Sequence, residues 1–396
     1  MRTHLNPDKK VPGARSHQRE KFLTNAGIII LLTIGLGFLF APRNAYGQGP
    51  ETIKSGLLYL QSDAPGHSSV THRPQPLAAD RSTIAEPIIP AGCAVLGMYA
   101  SPHGPWLAIA ITCEADQFVQ VINVVSGQNV DLGTAFARNS FFLGWSPVGN
   151  EILLRIGDFP DSRAYLVQVN SGNYEQLPVP NTVYDLALST NGRRMIYSLT
   201  QGLGYGSETW IADIDGGNAQ RVLTEPEHII AFAHWSPSGK AIAYMRMPDS
   251  NIPFTVGELW VMGGNGEGPE LLANVDAGHG YRPTWSPDGQ QIAFVVREFA
   301  SVDTDPESET ASYVADQLVS NIYLVNIADR NISPITQFAS SLTEYPIWSP
   351  DGKYIAFSST SGGKGMDLWV SDAQTGQLTQ ITQGASARFP TWLSNP

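Results

Sequence analysis

The sequence predicts an all-β fold: a β-propeller of four-stranded antiparallel sheets, with seven blades and a six-bladed ring as the alternative. Three observations carry that expectation. A motif built on Trp-Ser-Pro-Asp-Gly recurs along the chain, its copies lie mostly 43–50 residues apart, and apolar residues alternate on either side of each copy. Gly (38) and Pro (28) are abundant, while charged residues make up only 15% of the 396 positions, a balance that favours many turns over long helices.

The repeat is read from its anchor, the residue taken to end the first strand of each unit. The series runs through "MYASPHGPWLAIA" (98–110), "GWSPVGNEILL" (144–154), "LALSTNGRRMIYS" (186–198) and "HWSPSGKAIAYM" (234–245). It continues through "YRPTWSPDGQQIAFVV" (281–296) and "YPIWSPDGKYIAFSS" (345–359), ending in "FPTWLSNP" (389–396). Anchors at Tyr99, Trp145, Leu188, Trp235, Trp285, Trp348 and Trp392 give spacings of 46, 43, 47, 50, 63 and 44. In Ser-Pro-Asp-Gly, Pro presets φ, the Asp side chain bonds nearby backbone, and Gly takes the left-handed conformation, so the motif is a hairpin turn. The position after Ser-Pro or Ser-Thr varies as His103, Val148, Asn191, Ser238, Asp288 and Asp351. A catalytic carboxylate would not alternate with Val and Ser in sibling copies, which makes the Asp turn chemistry.

Each unit then supplies a second strand after the Gly, an aromatic third strand such as "SETWIADIDGG" (207–217) or "MDLWVSDAQTG" (366–376), and a short outer one such as "QLTQIT" (377–382). The last anchor lacks its three outer strands. The segment 51–90 offers three without an inner one: "SGLLYLQSD", "SSVTHRP" and "STIAEPII". Joining them closes a seven-bladed ring and removes exposed sheet edges.

This repeat, with "DLWVSD" and "QLTQIT" after it, resembles the β-propeller repeat of TolB and its relatives over about residues 90–396. The resemblance implies a binding propeller of the cell envelope; TolB docks a peptidoglycan-associated lipoprotein. No segment reads as an α/β domain ahead of the repeats, in which the chain departs from TolB. Similar repeats occur in oligogalacturonate lyases and in the propeller half of prolyl-oligopeptidase-type proteases, which supplies the alternative: a polysaccharide lyase or other carbohydrate-active enzyme with a metal site in the channel.

The domain reading follows the charge. Residues 1–47 hold seven Lys or Arg against two acids, whereas the remainder holds 17 against 34. Residues 1–25 read as a basic cytoplasmic n-region, 26–41 as a signal-peptide h-region or membrane anchor, 42–54 as a linker, and 55–396 as the propeller. Export to the periplasm or beyond is the expectation, with membrane contact only through the N-terminal segment if it is uncleaved. So acidic a body excludes nucleic acid as a partner; an envelope protein or peptide is expected, a glycan is the second option, and the chain is expected to be a monomer.

Cys93 and Cys113 are equidistant from the turn at His103 and are expected to face each other and form a disulfide. No G-x-S-x-G elbow, H-E-x-x-H or phosphate-binding loop occurs, and no cofactor, metal or catalytic residue is assigned. "GLGYGS" (202–207) reads as a loop. Binding is assigned to the channel mouth: Tyr184, Asp185, His228, His279, Tyr281, Arg282, Glu344, Tyr345 and Arg388, each a few residues ahead of an anchor. His228, His279 and Arg282 are the residues on which a lyase would draw. The long spacing marks an acidic insertion, 298–320, expected as a flexible loop that offers charge to a basic partner or Ca²⁺.

Overall fold

The turn motif fixes where each blade begins. In the computed structural model Asp288 accepts the Ser286 hydroxyl (2.6 Å) and the Gln290 amide (3.0 Å), and Gly289 takes φ +71°. Asp351 repeats this with Ser349 (2.6 Å) and Lys353 (3.1 Å). The carboxylates are thus consumed in holding hairpins between the first and second strands of their blades.

The structure describes residues 55–64, 67–114, 116–158, 160–250, 256–276, 282–299, 318–361, 365–384 and 386–394, all within one compact unit, Pro50–Pro396. The N-terminal calls over 1–25, 26–41 and 42–54 lie outside the described residues. Among those described, no helix is long and apolar enough to cross a membrane.

Seven four-stranded antiparallel sheets form the ring. Blade one is composite: Ser386–Leu393 is innermost, and Gly56–Ala64, His67–Arg73 and Ser82–Ala85 follow outward. The innermost strands of blades two to seven are Cys93–Ala100, Ser140–Trp145, Val183–Leu188, His228–Trp235, Thr284–Trp285 and Thr343–Trp348. Strand register across the closure runs from Gly56 opposite Leu393 to Ser62 opposite Ser386. The blade count is therefore seven, and the six-bladed alternative falls.

The core lies between blades rather than at the ring's centre. Leu58, Leu60 and Val70 of blade one pack on Met98, Leu107 and Ile109 of blade two, and comparable clusters fill the other interfaces. The small side chain of the I-A-F triplet explains the closeness: Ala243, Ala293 and Ala356 are fully buried where neighbouring sheets meet. Anchor indoles stitch blades together, Trp145 Nε1 donating to the Tyr99 carbonyl (2.8 Å) and Trp392 Nε1 to that of Ile347 (3.2 Å).

Two expectations need correction. Ser101 N bonds Trp106 O as Ser146 N bonds Glu151 O, which places Ala100, not Tyr99, at the anchor position of blade two. The Tyr ring there drew the alignment one residue early. The insertion is also shorter than 298–320: the second and third strands of blade six, Gln291–Phe299 and Leu318–Asn326, pair as far as Phe299 with Leu318. Backbone pairing thus continues into the apparent loop; residues 300–317 lie outside the described set.

Candidate functional site at the channel mouth

Counting three residues back from each anchor gives Gly97, Phe142, Asp185, Phe232, Arg282, Tyr345 and Phe389, one per blade. Around this level six of the seven innermost ladders are interrupted by a register shift. Such β-bulges re-aim side chains and recur beside functional sites. Phe232, Tyr345 and Phe389 sit at φ +56° to +57°, in the left-handed region that a bulky side chain adopts only under strain.

Most of these positions converge on a cavity of about 260 Å³. Its walls include Tyr99, Phe142, Phe232, Tyr345, Phe389 and Arg282. Blade two contributes Tyr99 in place of a side chain at Gly97, since a Cβ on Gly97 would collide with the Tyr99 ring. The Tyr99 ring stacks on Phe142, with centroids 4.2 Å apart, and Tyr345 meets Phe389 edge-on at 4.8 Å. The Tyr345 hydroxyl donates to the Leu96 carbonyl (3.4 Å), reaching past blade one to blade two.

Arg282 is the cation of this apolar ring. It spans the channel from blade six to blade three, where Nη2 donates to the Leu143 carbonyl (3.1 Å), and its guanidinium lies 5.7 Å from the Phe232 ring centroid. Asp185 belongs to the same level but is buried. Desolvation raises its pKa, while the positive charge of Arg282 and backbone amides, including that of Ala233 at 3.3 Å, oppose the rise. One level deeper, burial and the charge of Arg282 push the His234 imidazole down to about 4, and its Nδ1 donates to the Phe232 carbonyl (2.6 Å).

The other sequence candidates separate from this group. Tyr184 turns into the interface between blades four and five, where its hydroxyl donates to the Ile230 carbonyl and burial raises its pKa. Glu344 and Arg388 lie 3.8 Å apart and line a groove beside the seam of blades seven and one. These three stand four residues before their anchors, a register that points them between blades. His228 is 3.7 Å from Glu225, which also holds Arg246 at 3.0 Å, and Arg246 binds Glu258 at 2.9 Å. His279 and Tyr281 lie outside the described residues. Among those described, no group of three or more His, Cys, Asp or Glu is arranged to hold a metal.

The remaining motifs have internal roles. The amides of Gly204 and Gly206 donate to the Asp249 carboxylate at 2.8 and 2.7 Å, so the glycine-rich loop grips an anion that the chain itself supplies. Cys93 and Cys113 are direct partners across the first hairpin and are joined by a disulfide, with Cα atoms 4.3 Å apart. Sequence reasoning missed Tyr99, Phe142, Phe232, His234 and Phe389 because it sought polar residues at the rim. A strict count back from each anchor would have found four of the seven equivalent positions occupied by aromatics.

Residues 203–395 match the family model of the TolB β-propeller domain. A Tol-Pal system protein TolB of Francisella tularensis is 26% identical over 216 residues, covering 46% of this chain and 48% of that one. Dipeptidyl-peptidase 5 of Porphyromonas gingivalis is 26% identical over 176 residues, 43% of this chain and 24% of the peptidase. A solved prolyl endopeptidase shares the fold at a TM-score of 0.57 and 9% identity, over 85% of this chain and 50% of its own. The chain spans less than half the length of either of these curated relatives.

Proposed function

From the premise that this chain is a TolB-like β-propeller repeat protein, we propose that it is an exported, non-enzymatic propeller that binds a protein or peptide partner at the cell envelope through its channel-mouth face. The observation that carries this reading is the mouth itself: aromatic rings on five blades and one guanidinium surround an open recess. Aromatic and Arg side chains are the residue types that anchor protein interfaces, because each buries a large rigid surface and retains a polar or cationic handle. The strained backbone at Phe232, Tyr345 and Phe389 supports the same reading, since packing alone does not require a left-handed aromatic.

Export is supported by the sequence ahead of the ring. Arg2, Lys9, Lys10, Arg15, Arg19 and Lys21 precede the uncharged run 26–41, and a cleaved signal and a retained anchor both deliver the propeller across the membrane. The relatives named for the Tol-Pal system favour a protein partner, while the peptidases among the relatives favour a propeller that serves a catalytic domain. Co-purification of the native chain with a hydrolase that cleaves dipeptidyl amide substrates would decide for the second.

Cross-linking of the tagged full-length chain in cells tests the first. A partner is expected that is recovered with the native chain, is lost with Phe142→Ala/Phe232→Ala, and is retained with Val148→Glu on the opposite face. Equal recovery with all three chains would refute a binding role for the mouth.

A further inference from the structure

We infer that the recess receives the C-terminal end of a peptide: a terminal carboxylate on Arg282, with the last residue's apolar side chain among the aromatic rings. The inference rests on the mouth-binding reading and narrows it to a ligand class. Arg282 is the only charged residue among the described residues lining the recess. One of its five N–H groups is spent on the Leu143 carbonyl, and Asp185, the nearest anion of its ring level, does not line the cavity. A guanidinium walled by Tyr99, Phe142, Phe232, Tyr345 and Phe389 selects an anion, and its planar fork matches a carboxylate.

Size and field narrow the occupant further. At about 260 Å³ the recess lies below the usual range for a whole small-molecule ligand, so it takes the end of something larger. The walls ask for an apolar group and a carboxylate side by side, a combination that a chain-terminal apolar residue supplies on one residue. An acidic side chain within a peptide brings the charge without the apolar surface. The rest of the peptide is neutral or basic, because residues 48–396 carry 34 acids against 17 Lys and Arg and repel a polyanion.

The test uses the fluorescein-labelled peptide Lys-Gly-Lys-Gly-Leu-Phe as free acid and as C-terminal amide, titrated by anisotropy against the full chain. The free acid is expected to bind about 10- to 100-fold more tightly, the worth of a charge-assisted hydrogen bond. Arg282→Gln is expected to abolish that difference. Because that change alone leaves Asp185 without its cation, Asp185→Asn/Arg282→Gln with an unaltered melting temperature must abolish it too. Equal binding of acid and amide by the native chain, or a preference that survives the double variant, overturns the inference. Displacement by 3-phenylpropionate at the peptide's own concentration also overturns it, since the recess would then be a site for small carboxylates. A cross-linked partner that depends on Phe142 and Phe232, found alongside equal binding of acid and amide, sinks this inference and leaves the mouth-binding reading intact.

Discussion

Trp285 shows how a single residue joins sequence to fold. It is 8% exposed and packs with Ala243, Phe294 and Val325 between blades five and six. Its replacement by Ala is expected to lower stability by about 3–5 kcal/mol, as large core truncations do, and urea denaturation reads it directly. Asp288, two residues from the anchor's Ser, contributes only to its turn, and Asp288→Ser should leave partner capture intact. His234 carries a pH prediction. Its folded pKa of about 4 lies below the ordinary 6.5, so between those values the unfolded chain holds a proton that the folded chain refuses. Stability is therefore complete above about pH 6.5 and falls as pH drops towards 4, by at most about 3 kcal/mol from this group. His72, buried and also lowered by desolvation, acts with the same sign. Urea midpoints at pH 7 and pH 4.5 should differ more for the native chain than for His234→Gln; an identical difference would contradict the placement of His234. The turn chemistry was legible because Pro, Asp and Gly act within four residues. Asp185, His234 and Arg282 were not legible as a group, since three different blades bring them together.

At the scale of the element, the innermost strand is the informative unit. Its register relative to the anchor decides whether a side chain enters the channel or the gap between blades. That distinction separates Arg282 and Tyr345 from Tyr184, Glu344 and Arg388, although all five lie within four residues of an anchor. Hydrophobic alternation reveals the strand, but the β-bulges that shift the phase carry no compositional signature. The Tyr99 misreading has a related cause: Gly97 and Tyr99 exchange roles, so the ring at the mouth belongs to a residue two places further along. The first hairpin of blade two is held by Cys93–Cys113, which closes a loop of 20 residues. Cys93→Ser/Cys113→Ser is expected to cost about 3 kcal/mol by chain-entropy reasoning, read by denaturant unfolding under non-reducing conditions. Equal stability of the two chains would show that pairing across the strands suffices.

For the whole molecule, closure is the organising fact. The seven blades were countable in the sequence because the first three strands lacked an inner partner and the last anchor lacked outer ones. Pairing the two incomplete sets with each other covers edges that would otherwise invite association. Deleting residues 386–396 removes the innermost strand of blade one and bares the edge of Gly56–Ala64. The shortened chain is expected to associate or to lose cooperative unfolding, and a monomeric, cooperatively unfolding product would contradict the closure. The ring's function was less legible than its form. A repeat announces the positions that are alike in every blade, whereas binding depends on the seven that differ at the mouth. The most direct test of the account is the affinity of the cross-linked partner for the native chain, for Phe232→Ala and for Val148→Glu, whose side chain is 55% exposed at a turn on the far face. The account predicts that Phe232→Ala weakens binding by about tenfold or more, as loss of an interface anchor does, while Val148→Glu leaves it unchanged. The reverse pattern, loss with Val148→Glu and full affinity with Phe232→Ala, would contradict it.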